Sequence, residues 1–272
     1  SWWYDTNCHH KYEKKRTNHR LVLRYLRKEV KILEERSLLF QIGPIWFDGT
    51  IIIMTLLTCT LIFSFVFICS RNLQIRPKGK QNVLEYIVDF VRGILSSQLP
   101  NKKEVNHYHL LGFTLFLFIL VSNEIGLITK IVTPSEISLW KSPTADPIVT
   151  LGLAMTVIVF THYMGIQRFG LKNYFVNSYL KPVSFILPIK LLEEFTNVIS
   201  LGLRLYGNIF AGEVLLGLIV SLVTSIGWVA LPLAVPLEMI WIGFSLFIGA
   251  IQAYVFVTLT MVFLSHKIAI DH

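Results

Sequence analysis

The sequence has few charged residues, and over long stretches it has none. Only 15% of its 272 residues are Asp, Glu, Lys or Arg, whereas 53% are hydrophobic and the mean hydropathy is +0.58. Five stretches lack charge altogether, at 49–70, 105–123, 147–167, 214–237 and 239–266. A bilayer-spanning helix needs roughly 20 such residues. Because buried helices of soluble proteins seldom stay uncharged for so long, the pattern excludes an ordinary soluble domain and predicts about five long membrane elements.

Other absences narrow the class of function. Cysteine occurs at three positions, 8, 59 and 69, a spacing that fits neither a disulfide framework nor a metal site. No Ser or Cys has a convincing intramembrane histidine partner, which disfavours an intramembrane hydrolase. A secondary transporter with a buried ion-coupling site is the alternative reading, although we find none of the paired repeats with broken helices expected of that class. Nothing in the sequence predicts a cofactor or a metal.

The net charge of +8 reflects membrane topology rather than binding to nucleic acid. After residue 40 the basic residues cluster at 71–103 and 168–190, whereas the loop between the second and third hydrophobic segments has two lysines balanced by two acids. The positive-inside rule places the two basic stretches in the cytoplasm and the sparse loop outside. With Lys267 near its end, the C-terminus is predicted to be cytoplasmic.

The first 40 residues differ from the rest. Residues 1–36 hold ten basic and five acidic side chains and lack the apolar core of a signal peptide. We interpret 1–40 as an N-terminal extension of uncertain status, disordered or not native, and 41–272 as the membrane-embedded domain. Translated upstream or vector-derived sequence is the favoured origin. A processed leader and a basic amphipathic helix at 21–36 remain open.

An amphipathic helix is predicted between the first two spans. Apolar residues recur at helical spacing between 81 and 95, while Glu85, Asp89 and Arg92 fall on other faces. This pattern is typical of a helix that lies on the cytoplasmic membrane surface.

The fourth hydrophobic element has a polar stripe with spacings of four, three, four and four residues. Its members are Glu193, Asn197, Ser200, Arg204 and Asn208. At 100° per residue they share one helix face. Glu213 falls about half a turn away from Arg204 and roughly 13 Å along the axis. These opposed faces disfavour a structural ion pair between the two side chains.

The last element places Glu238, Ser245 and Gln252 at seven-residue intervals on one face. Intramembrane arginine costs at least ~2.5–3.5 kcal/mol on insertion scales, so such groups usually persist where water, a partner charge or a moving ion uses them. Two simpler readings stay open. Glu193 and Glu194 also fit a charged helix start at the membrane edge, and Ser200 and Ser245 also fit helix packing.

One run of residues resembles a known family. The segment at 200–213, SLGLRLYGNIFAGE, is similar to the signature of subunit a of bacterial F-type ATP synthases. Further matches lie at 77–85 (PKGKQNVLE), 123–127 (NEIGL), 142–154 (SPTADPIVTLGLA) and 251–260 (IQAYVFVTLT). The resemblance covers about residues 41–267 and leaves out the N-terminal extension.

The resemblance implies an all-α integral membrane protein of the bacterial plasma membrane. In chain order, its architecture would be a single transmembrane helix, an amphipathic surface helix, a transmembrane hairpin and a long tilted helical hairpin embedded in the membrane. It also implies a stator subunit, not an enzyme by itself, that works with a ring of c subunits, peripheral-stalk b subunits and membrane lipids. The transported ion would be a proton, with sodium left open.

The resemblance further implies two aqueous half-channels that meet at the ring. Arg204 would face the ring and separate the channels, with Asn208 and Gln252 on the same polar surface. Glu213 would belong to the outer channel, and Glu193 or Glu194 to the cytoplasmic one. Some members have a histidine in the last helix where this chain has Ser245. We expect Glu238, two turns earlier on that face, to replace it.

Overall fold

The computed structural model describes residues 39–42, 45–71, 73–75, 79–128, 142–175, 187–226 and 231–268. The N-terminal extension predicted over 1–40 lies outside these ranges except for its last two residues. Most of the loop between the second and third hydrophobic segments, at 129–141, is also outside them.

A short antiparallel hairpin precedes the first membrane helix. It pairs β1 (Leu39–Ile42) with β2 (Ile45–Asp48). Asp48 then caps α1 (Gly49–Ser70), because its Oδ1 accepts hydrogen bonds from the backbone N–H groups of Thr50 at 3.0 Å and Ile51 at 3.4 Å. The sequence analysis did not predict this hairpin, since four residues are barely enough for strand alternation to be recognised.

The predicted amphipathic helix is present as α2 (Lys80–Gln98). Gly79 precedes it with a φ of 60°, in a backbone region that favours glycine. The buried face of α2 includes Leu84, Val91 and Leu95. A helix with one apolar face buried and the other face exposed is suited to a surface position. Its location on the cytoplasmic membrane surface stays a prediction.

Among the described residues, five helices are long and apolar enough to cross a membrane, which confirms the predicted all-α membrane fold. They are α1, α3 (Lys102–Ile128), α4 (Pro147–Phe169), α6 (Leu187–Ile226) and α7 (Leu231–Ile268). A 3-10 turn (Pro143–Ala145) leads into α4, and the short α5 (Leu171–Phe175) follows it. Asp146 caps α4 by accepting a 2.7 Å hydrogen bond from the backbone N–H of Ile148.

The core forms where α2, α3, α4, α6 and α7 meet. Its fully buried apolar side chains include Leu95, Ile119, Leu205, Phe256 and Met261. Helix α1 lies at the periphery, and many of its large apolar side chains are exposed, with Phe63 at 71%. In a bilayer such side chains face lipid tails at no cost, so burial within the chain is not needed to satisfy them.

Helices α6 and α7 are too long to stand upright in a bilayer. They contain 40 and 38 residues, which correspond to about 60 Å and 57 Å at the α-helical rise. The hydrocarbon core is only about 30 Å thick. Helices longer than the core tilt or extend beyond it, so these lengths agree with the predicted tilted hairpin.

The packing of α6 on α4 depends on the absence of a side chain at Gly202. A Cβ there would lie 3.0 Å from Leu151 Cα and 2.7 Å from Leu151 Cδ2. Because the first of these atoms belongs to the backbone, a rotamer change cannot relieve the clash. We expect Gly202→Ala to cost about 1–3 kcal/mol of unfolding free energy, measured by thermal unfolding of the purified protein in detergent.

Gly152→Ala is the matched control, one residue along α4 from Leu151. A Cβ at Gly152 meets nothing within 4 Å, and alanine favours a helix over glycine. This variant should unfold at the same temperature as the unaltered protein or slightly higher. Equal unfolding temperatures for the two variants would contradict the close α4–α6 contact.

Candidate functional site

The polar stripe predicted on α6 lies along the side of the helix that faces away from the core. Glu193, Ser200 and Arg204 are exposed, and Asn197 and Asn208 are partly buried. Arg204 is near the middle of the candidate span Leu187–Ile219. Among the described residues, no carboxylate forms an ion pair with it. Its guanidinium is therefore presented outward at membrane depth.

The buried face of α6 separates the arginine from the carboxyl predicted beyond it. Val198, Leu205 and Ile209 are buried and define this face. At 100° per residue, Arg204 lies on one flank of the buried face and the partly buried Glu213 on the other. The two groups therefore face different surroundings, as the sequence predicted.

Two contacts set the register of α6 against α7. The indole Nε1 of Trp241 donates a 3.3 Å hydrogen bond to the carbonyl oxygen of Gly212. At the other end, Lys267 Nζ forms an ion pair with Glu194 Oε1. Interpolation between these two contacts puts the turn of α6 that holds Arg204 nearest the turn of α7 that holds Gln252. Glu213 lies level with Trp241.

The predicted polar face of α7 is the face that α7 turns toward the other helices. Ser245 and Gln252 are buried, at 6% exposure each, and Gly249 between them is buried too. Glu238, nearer the start of α7, is only partly buried. Within the described part of the chain, the Nε2 of Gln252 has no hydrogen-bond partner although it is buried. A buried donor without a partner is unusual, which makes this amide a candidate for a functional contact.

A buried hydrogen-bond network, which sequence reasoning missed, joins α3 to α7 and to the 3-10 turn. Asn123 Nδ2 donates to the carbonyl oxygen of Gly249 at 3.2 Å, and Asn123 Oδ1 accepts from Thr144 Oγ1 at 2.8 Å. Ser142 Oγ adds bonds of 2.7 Å to the Ser122 carbonyl oxygen and to Thr144 Oγ1. The only signal was indirect, since Asn123, Ser142 and Thr144 fall in the matched segments at 123–127 and 142–154.

A second cluster, at the start of α6 and the end of α7, was also missed. Glu194 pairs with Lys267, and its Oε2 lies 3.6 Å from His162 Nε2. The other ring nitrogen of His162 is 3.0 Å from Tyr174 Oη. Of the two adjacent carboxyls predicted here, Glu194 is thus bound within the chain, whereas Glu193 is exposed.

The described residues contain no group of three or more His, Cys, Asp or Glu side chains arranged to hold a metal. The ionisable groups of the membrane helices instead follow two patterns. Some pair near helix ends, as Arg168 with Glu104 at 2.5 Å and Lys267 with Glu194 do. Others, such as Arg204, are presented at the surface of the long hairpin.

These features define a class: multi-pass α-helical membrane proteins with ionisable groups at mid-membrane on a long helical hairpin. Comparison with known proteins narrows that class. The family model for the ATP synthase A chain matches residues 52–265. The chain therefore belongs to the ATP synthase A chain family, which is subunit a of bacterial F-type ATP synthases.

Several relatives are similar over nearly their whole length. ATP synthase subunit a of Enterococcus faecalis is 65% identical over 236 residues, which are 87% of this chain and 98% of the relative. That of Enterococcus hirae is 62% identical over 88% of this chain and 100% of the relative. That of Listeria monocytogenes is 49% identical over the same shares. The chain is thus a non-catalytic component of the synthase in the bacterial membrane.

The ion pair between Lys267 and Glu194 gives a test of the hairpin register. Both side chains are largely buried, at 15% and 18% exposure. Lys267→Met would leave the carboxylate of Glu194 without its lysine partner, which we expect to cost about 1–3 kcal/mol of unfolding free energy. The measurement is thermal unfolding of the purified protein in detergent.

The double variant Lys267→Met with Glu194→Gln is the informative comparison. It removes both charges, so it should recover part of the stability lost in Lys267→Met. Lys172→Met, at an exposed lysine of α5, controls for the loss of one positive charge. Strictly additive losses in the double variant would contradict a direct pair.

Proposed function

We propose that this chain is the stator that conducts protons in the membrane sector of the synthase. Two aqueous half-channels would lead to a rotating ring of c subunits, and proton flow through them would turn the ring. The observation that supports this function best is the position of Arg204. It is exposed at mid-membrane, level with a buried glutamine amide, and lacks an ion-pair partner among the described residues.

The exposure of Arg204 calls for a partner from another chain. A mid-membrane arginine costs at least ~2.5–3.5 kcal/mol on insertion scales. That cost is offset when a carboxylate approaches from outside, and a ring of c subunits would bring one carboxylate after another. The guanidinium would hold each arriving carboxylate in its deprotonated form, and Asn208 and Gln252 would offer it hydrogen bonds.

The same charge would keep the two half-channels apart. A fixed positive charge repels protons, so protons from one channel cannot cross directly to the other. A proton reaches the other channel only while it is bound to a carboxylate of the rotating ring. A membrane voltage supplies ~2.3 kcal/mol per charge per 100 mV, and this energy is available for rotation only without such a leak.

The remaining polar groups divide between the two channels by their position along the hairpin. Glu213, Glu238 and Ser245 lie toward the loop that joins α6 to α7, which the positive-inside rule assigns to the outer side. Glu193, Glu194, Asn197 and Ser200 lie toward the start of α6. In this assignment the C-terminus is cytoplasmic.

The two adjacent glutamates would then have different tasks. Glu193 is exposed and is suited to release protons at the cytoplasmic side. Glu194 is bound to Lys267 and lies close to His162, so it is suited to fixing the hairpin. We assign residues 41–272 as the membrane unit that contacts the ring, the peripheral-stalk b subunits and lipid.

The decisive experiment replaces Arg204 in the intact synthase reconstituted into vesicles. Arg204→Ala should abolish ATP synthesis but leave the complex assembled, with a passive proton leak through the membrane sector. Arg204→Lys should also fail, because a desolvated lysine loses its proton more readily than an arginine. The measurements are ATP synthesis and dye-detected proton flux in sodium-free buffer.

Arg92→Ala is the matched control, since it removes an exposed arginine of α2 outside the hairpin. It should retain both coupled synthesis and a proton-tight membrane. Normal ATP synthesis by Arg204→Ala would overturn the proposed function. In a parallel assay with sodium in the buffer, a leak of sodium but not of protons would identify sodium as the transported ion.

Glu213 allows a separate test of the outer half-channel. Glu213→Gln removes one group that can accept and release a proton, so ATP synthesis should fall roughly tenfold while the complex stays assembled. Glu238 lies on α7 in the same outer region. The double variant with Glu238→Gln should therefore synthesise ATP more slowly than Glu213→Gln alone. Asp89→Asn, at an exposed carboxyl of α2, is the control. Unchanged rates in the double variant would remove both residues from the path.

A further inference from the structure

Glu124 is an intramembrane carboxyl that the proposed mechanism has not used. It lies near the end of α3, within the candidate span Lys102–Gly126, and is partly buried. Its Oε1 is 3.0 Å from the point that a Cβ at Gly249 would occupy. The carboxylate therefore packs directly on α7, at a place where that helix has no side chain.

This contact puts Glu124 on the functional face of α7. Gly249 is one helical turn from Ser245 and nearly one turn from Gln252, and all three are buried on the same face. The neighbouring Asn123 donates to the Gly249 carbonyl oxygen and accepts from Thr144. These two bonds hold the end of α3 against α7 and thereby keep the backbone of Glu124 beside Gly249.

The register of the hairpin places Glu124 between Glu213 and Arg204. Glu213 is level with Trp241, and Gly249 is about 12 Å farther along α7. Gln252, which is level with Arg204, is only about 5 Å beyond Gly249. A proton passes between groups within hydrogen-bond distance or through a single water. The interval from Glu213 to the ring carboxylate is therefore too long for one transfer.

We propose that Glu124 is the inner proton-relay group of the outer half-channel. The inference rests on the proposed function and names a residue for it. Through waters and the Ser245 hydroxyl, which lies between the two groups on α7, the acid form of Glu213 gives its proton to the Glu124 carboxylate. Glu124 then passes that proton to the carboxylate of the c ring and returns to its ionised form. No co-reactant is needed, because each transfer breaks one O–H bond and forms another.

The position of Glu124 also accounts for Ser245, which stands in α7 where some family members have a histidine. A serine hydroxyl can pass a proton along a hydrogen-bond chain, but it does not hold a negative charge near neutral pH. Glu238 is two turns from Ser245 along α7, whereas Glu124 packs one turn away on the opposite side of it. Glu124 thus supplies an ionisable group closer to the ring than Glu238 does.

The test compares Glu124→Gln with Glu124→Asp in the intact synthase in vesicles. Glutamine keeps the shape but cannot relay a proton, so ATP synthesis should fall roughly tenfold or more. Aspartate keeps the carboxyl and should retain most of the rate, which a purely structural role would not require. Glu85→Gln is the control, since that carboxyl accepts a hydrogen bond from Gln81 on α2, outside the path.

A second measurement separates this inference from the proposed function. Arg204→Ala should leak protons, and adding Glu124→Gln should reduce that leak by a similar factor. If Arg204→Ala leaks and the added substitution changes neither the leak nor synthesis, the relay role of Glu124 is overturned and the half-channels stand. If Arg204→Ala leaks neither protons nor sodium, the half-channel function fails and the relay fails with it.

Discussion

The cost of a charge in hydrocarbon is the constraint on which the arrangement of this molecule depends. The five long helices contain few charged residues, and those residues differ in their settings. Arg168 pairs with Glu104, and Lys267 pairs with Glu194, each near helix ends where water is close. Arg204 alone among these cations is presented outward at the middle of its span. Among the described residues no carboxylate pairs with it, which is why we propose that its partner lies at an interface.

The sequence predicted the features that depend on local spacing. Uncharged stretches predicted α1, α3, α4 and α7, whereas the stretch at 214–237 runs from the end of α6 to the start of α7 and does not match a span. A 100° periodicity put Arg204 and Glu213 on separate flanks of α6. Contacts between residues far apart in the chain produce no periodic pattern in the sequence. Asn123 meets Gly249 across 126 positions, and Glu194 meets Lys267 across 73. Glu124 escaped notice because it falls just past an uncharged stretch, and only packing reveals that it reaches α7.

The long hairpin gives the proposed mechanism its geometry. Two contacts at its ends, one from Trp241 and one from Lys267, fix how far α6 has slid along α7. A slip of one turn would move a residue by about 5.4 Å, enough to change which turn of α7 lies nearest Arg204. Because the two helices are rigid, the contacts at their ends also determine which turns of α6 and α7 lie together in the middle of the hairpin. We therefore propose a positioning role for Glu194, although it lies ten residues along α6 from Arg204.

Gly249 contributes both to the packing of α3 on α7 and to the proposed proton path. Without a Cβ, α7 lets the end of α3 approach closely enough for Asn123 to bond to its backbone and for Glu124 to reach the polar face. A Cβ there would lie 3.0 Å from Glu124 Oε1 and 3.4 Å from Asn123 Cβ, so the carboxylate would have to shift, and a larger side chain would press on both residues. Since the network is buried, breaking it leaves polar groups without partners, at about 1–3 kcal/mol for each group. Stability and the proposed proton path thus depend on the same contact, so evolution could not readily relax one without losing the other.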